Sequence, residues 1–94
     1  MTRSATLLEN VGSVADGSWV RWEGGRTALM VSYTTKPTTL TLDIRGKDGD
    51  AVSISTISAQ GLTSVDLPTG QYRMGMSGGS ASAIYADLYL IPHN

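Results

Sequence analysis

One histidine, eight carboxylates and no cysteine bound the chemistry open to this 94-residue chain. The histidine is His93, next to last in the sequence. A general base must be oriented by a second group, and terminal residues fray, so a Ser–His–Asp relay is not expected despite 11 serines. Without cysteine, disulfides and thiolate metal sites are excluded. "KDGD" sets Asp48 and Asp50 two apart, loosely like a calcium loop, but no closing glutamate follows and a tight turn explains it. Asp43 and Asp66 fall on polar strand faces and could form an acid pair across a cleft, though no neighbouring motif singles them out. "EGGRT" and "SGGSAS" are glycine-rich, yet neither bridges a strand and a helix as a phosphate cradle would. The residues therefore point away from an enzyme, and no cofactor or metal is expected.

Binding chemistry is better represented. In "SWVRWE", alternation sends Trp19 and Arg21 to one strand face and Val20 and Trp22 to the other. Trp22 is then expected in the core. Trp19 either packs under the N-terminal segment, serves with Arg21 as an interface anchor, or offers a platform to a carbohydrate. Arginine outnumbers lysine five to two, and Arg21, Arg26, Arg45 and Arg73 all sit in or beside strand patterns. The planar guanidinium pairs bidentately with carboxylates, which suits protein contacts. In "LPTGQYRM", Tyr72 and Met74 share a core face and Arg73 points away, as a solvated strand residue or a contact to another chain.

These residues must be positioned by strands. "TTLTLDIR" places Leu40, Leu42 and Ile44 on one side and Thr39, Thr41, Asp43 and Arg45 on the other. "GKDGD" is turn chemistry, and "AVSISTI" resumes the alternation, so the two runs predict a hairpin. "LTSVDL", "QYRMGM" and "AIYADLYLI" supply three further strands, the last apolar or aromatic on nearly both faces, as a central strand would be. Gly24 and Gly25 read as a two-residue hairpin turn, and Pro68 to Gly70 as another turn. The whole predicts an all-β, single β-sandwich, jelly-roll-like, of about seven antiparallel strands over residues 17–94. Residues 1–16 read as an extended N-terminal arm with one short strand, its only apolar cluster being Leu7 and Leu8.

Composition is consistent with a binding protein. Charged residues make up 16%, against roughly 25% in an ordinary soluble domain. Serine, threonine and glycine, 11 of each, take their place. Depletion of charge is typical of interface cores. The net charge of −1 gives no footprint for nucleic acid, and no run of signal-peptide or membrane-span length is present, so neither nucleic acid nor membrane is an expected partner.

The combination "WVRWEGGRTALMV", "TLTLDIRGKDGD" and "VDLPTGQYRMGMSGGSASAIYADLYLIP" resembles small virion proteins of tailed bacteriophages, over about Gly17 to Pro92. The resemblance implies a structural component of the capsid decoration, or cement, type at the capsid surface. A tail, neck or fibre-associated protein of the same fold is the alternative. It further implies the major capsid protein as partner and a homo-oligomer, with a trimer favoured. The resemblance brings no binding residues with it; by residue type and place in the chain, the contacts are expected from Leu7 and Leu8 on the arm and from Trp19, Arg21, Arg26 and Arg73 on the sandwich.

Overall fold

Leu40 and Leu42 are fully buried while Thr39 and Arg45 face solvent, so the alternation in "TTLTLDIR" is that of a strand packed by one face. The same period organises the rest of the chain. The computed structural model describes residues 4–91 and contains eight strands. They are β1 (Ser4–Val11), β2 (Val20–Trp22), β3 (Gly25–Ser32), β4 (Thr39–Arg45), β5 (Ala51–Thr56), β6 (Gly61–Leu67), β7 (Gly70–Ser77) and β8 (Ile84–Leu90). Two antiparallel sheets result, a first in the order β1-β8-β3-β6 and a second in the order β2-β7-β4-β5. The fold is all-β and sandwich-like.

The inner faces meet in one core built from Leu29, Val31, Ile84, Ala86 and Leu88 of the first sheet and Leu40, Leu42, Tyr72, Met74 and Met76 of the second. Trp22 completes it, as expected, and its indole Nε1 donates to Thr27 Oγ1 at 2.9 Å. Thr27 in turn donates to the Gly25 carbonyl at 3.0 Å, so the buried hydroxyl is satisfied twice. β8 lies between β1 and β3, a central position that accounts for its apolar character.

Three expectations need correction. The arm expected over residues 1–16 is docked from Ser4 to Val11 as an eight-residue edge strand, and only residues 12–16 of its described part lie outside a strand. Ser4 to Val11 pair with β8, and Leu7 and Leu8 are each only 5% exposed within the core. Two adjacent leucines can both point inward because the register slips between Thr6 and Leu8, a bulge that interrupts the period of two. Secondly, Gly24 and Gly25 do not close a hairpin. They carry the chain from the second sheet to the first, at φ values of 87° and 108°. A Cβ on Gly24 would lie 2.7 Å from the Thr69 nitrogen and 2.8 Å from the Leu67 carbonyl oxygen, so only glycine allows the two crossings to touch there. Thirdly, Pro68 to Gly70 likewise cross between sheets, from β6 to β7. The β4–β5 connection is the one hairpin among the described strands, and it is the hairpin expected from "GKDGD".

Candidate functional site

The outer face of the second sheet gathers the polar residues with chemistry. Cross-strand register puts Arg73 on β7 opposite Asp43 on β4, and Asp43 opposite Ser53 on β5. One residue before β2 begins, Trp19 lies against Arg73, whose guanidinium carbon is 4.7 Å from the ring centroid. Arg45, further along β4, sits 5.9 Å from the same centroid. Two guanidinium groups over one indole form a cation–π cluster that holds the half-buried ring in place.

Asp43 is buried although it belongs to a solvent-facing strand side. Its Oδ1 accepts from the Thr41 hydroxyl at 2.8 Å and the Ser53 hydroxyl at 3.0 Å, and its Oδ2 lies 3.5 Å from Arg73 Nε. Gly75 makes room for it. A Cβ at that position would stand 2.6 Å from Asp43 Oδ2 and 2.9 Å from Thr41 Oγ1. Arg73 also pairs with Asp16 through Nη2 at 3.3 Å. Asp16 accepts the Met76 backbone N–H at 3.2 Å, and Gly17 donates its own N–H to the Met74 carbonyl at 2.9 Å. The segment between β1 and β2 is thus fastened along the edge of β7, and Arg73 is the hub joining it to Trp19 and Asp43.

Beside this network lies a shallow concavity lined by Arg21, Arg45, Lys47, Asp48, Gly70 and Gln71. Arg45 Nη1 donates to Gln71 Oε1 at 3.1 Å, while among the described residues the partner of Arg21 is Glu23, in an exposed ion pair at 3.7 Å. An exposed pair of that kind is weak, which leaves the Arg21 charge available to a partner.

The residues expected to contact partners separate into three places. Trp19, Arg21 and Arg73 come together on the outer face of the second sheet. Arg26 lies on the opposite surface, exposed and in register with Asp66. Leu7 and Leu8 are in the core, unavailable to a partner while the sandwich is intact. Arg73 is neither a free strand residue nor an open contact, because its charge is taken up by Asp16 and Asp43 of its own chain. Asp43 and Asp66 occupy different sheets and form no pair across a cleft. Asp48 is a turn residue whose Oδ1 accepts the Asp50 N–H at 3.1 Å. Among the described residues no cluster of three or more His, Asp or Glu side chains could hold a metal ion. His93 falls outside the described residues.

Sequence reasoning missed Asp16 and the burial of Asp43. Their shared ion-pair partner, Arg73, is 30 or more positions away from each, and local alternation carries no trace of such a partner. Comparison of the chain with protein family models, with curated proteins and with solved structures gives no match.

Proposed function

We propose that this β-sandwich is a non-enzymatic structural protein that grips a protein shell through the outer face of its second sheet. The sequence resemblance to small phage virion proteins gives the setting, with the major capsid protein as partner and capsid decoration as the role. The observation that carries the reading is Trp19, an indole set beneath two guanidinium groups with the exposed Arg21 beside it. Tryptophan and arginine dominate binding hot spots, and a ring already fixed in place loses little conformational entropy on docking. Arg21, Arg45 and Lys47 around the adjoining concavity suit an acidic surface on the shell.

Co-sedimentation with capsids stripped of this protein tests the reading. Trp19→Ala is expected to weaken binding about thirtyfold, the effect of losing a hot-spot side chain. Arg21→Glu changes an exposed residue with little influence on folding, and it should weaken binding and flatten the salt dependence, because one salt-screened attraction is replaced by a repulsion. Unaltered binding by both variants would sink the proposal. Copy number then separates shell from tail: many copies at symmetric shell positions fit decoration, and a few per particle fit a tail or neck component.

A further inference from the structure

Residues 51–65, "AVSISTISAQGLTSV", contain no charge at all, in a chain where charged residues average one in six. They cover β5, the connection after it and the first five residues of β6, and β5 and β6 are the outermost strands of the two sheets on one side of the molecule. Much of their apolar surface is open: Leu62 is 67% exposed, Val52 52% and Ile54 44%.

The four sheet edges differ in how they resist pairing with another strand. β1 carries two register slips, a glutamate and a left-handed Asn10 at φ 50°. β2 is three residues long, and the neighbouring edge of β7 is already occupied by Gly17 and Asp16. β5 is broken by a slip opposite Leu42 and Asp43. Bulges, short length and charge are the usual protections of an exposed edge. β6 has little of this. It keeps one unbroken register with β3 from Gly25↔Leu67 to Val31↔Gly61, and its single charge, Asp66, lies near one end.

The geometry points to β6 as a docking edge for β6 of a second copy, paired antiparallel about a twofold axis at Thr63. That register sets Thr63 against Thr63 of the second copy and Leu62 against Ser64, with Asp66 beyond the axis opposite Gln60. The two Leu62 side chains meet diagonally, each beside the exposed Met30 of its own β3. Two four-stranded sheets become one of eight. A second copy is the occupant because a twofold contact places a segment against itself, so that any charge near the axis would face its like; this segment has none there. The bulged β5 keeps the second sheet from extending in the same way, which closes the assembly at two. This inference does not draw on the capsid role, and it puts a dimer in place of the trimer that the resemblance implies.

Sedimentation of the full chain over a concentration series should give twice its 9.9 kDa mass. The chain has no cysteine, so single-cysteine variants report contacts cleanly. Thr63→Cys should cross-link into a covalent dimer on mild oxidation, because directly opposed strand residues lie within disulfide reach. Ser53→Cys on β5 should not. Leu62→Lys should weaken dimerisation by about tenfold or more by bringing two cations together across the axis, with an unchanged circular dichroism spectrum. A one-chain mass at every concentration, a three-chain or open-ended assembly, or equal cross-linking of the two cysteine variants would overturn the inference.

Discussion

On one side of the sandwich, β1 and β2 lie close enough to contact each other across the sheets, and the segment between them is tied to β7 by the Gly17 amide and the Asp16 carboxylate. Leu7, Leu8 and Trp22 fill the space behind. On the other side, β5 and β6 are joined by only four residues, 57–60, yet Val52, Ile54 and Leu62 lie open between and beyond them. One flank is closed by bulges, a latch and apolar side chains. The other is flat, hydroxyl-rich and uncharged. The contrast shows that the two flanks meet different demands: the first completes the fold, and the second leaves backbone pairing capacity unspent. Stability should therefore respond to substitution on the closed flank far more than on the open one.

The comparison can be broken most directly at its two leucines. Leu8→Ala, in the core, should cost about 2–5 kcal/mol in urea unfolding. Leu62→Ala, on the open flank, should stay within about 0.5 kcal/mol for the monomer. Equal costs would show that the open flank is packed more tightly than its exposure indicates. Gly75→Ala should follow, at about 1–3 kcal/mol, because its methyl group would press on Asp43 and Thr41.

Arg73→Ala should leave the fold intact but lower its stability by about 1–2 kcal/mol. It strips the cation from Asp43, whose side chain is only 6% exposed, while the Thr41 and Ser53 hydroxyls still donate to it. The Arg73 side chain is 23% exposed and its Asp16 partner 50%, so solvent screening keeps the loss below that of a fully buried pair. Adding Asp43→Asn to Arg73→Ala should recover part of it. The smallest effect at neutral pH concerns Tyr72. Burial raises its hydroxyl above the ordinary value of 10.0, so the fold favours the protonated phenol. That contribution is complete below pH 10 and is lost as pH rises through the raised folded value. Tyr72→Phe should flatten alkaline unfolding, although it also gives up the hydrogen bond to the Pro68 carbonyl.

Alternation made the strand faces legible. Leu40 and Leu42, Tyr72, Met74 and Met76, and Ile84, Ala86 and Leu88 all point inward as their spacing demands, because a strand's period is a local property. Pairing was not legible in the same way. Gly24–Gly25 and Pro68–Gly70 have turn chemistry that serves a hairpin and an inter-sheet crossing equally well, and only the strand beyond decides which forms. Leu7 and Leu8 broke the period through a bulge, and the segment looked like an arm for want of a visible partner. At the candidate site, Trp19 and Arg21 were found by residue type and spacing. Asp16 gave no signal, and Asp43 was read only as half of an acid pair with Asp66, because the importance of both comes from Arg73, brought to them by the fold.

Ser4 to Val11 pair with Ile84 to Tyr89, so the first sheet cannot be completed until segments some 80 positions apart find one another. Such closure is entropically costly before any contact rewards it, and sandwiches of this kind fold in about milliseconds to seconds rather than microseconds. Through that interval β8 lacks one of its two neighbours and the uncharged β6 edge is open to other chains. Refolding yield should therefore fall as protein concentration rises, because association of open chains competes with closure of the sheet.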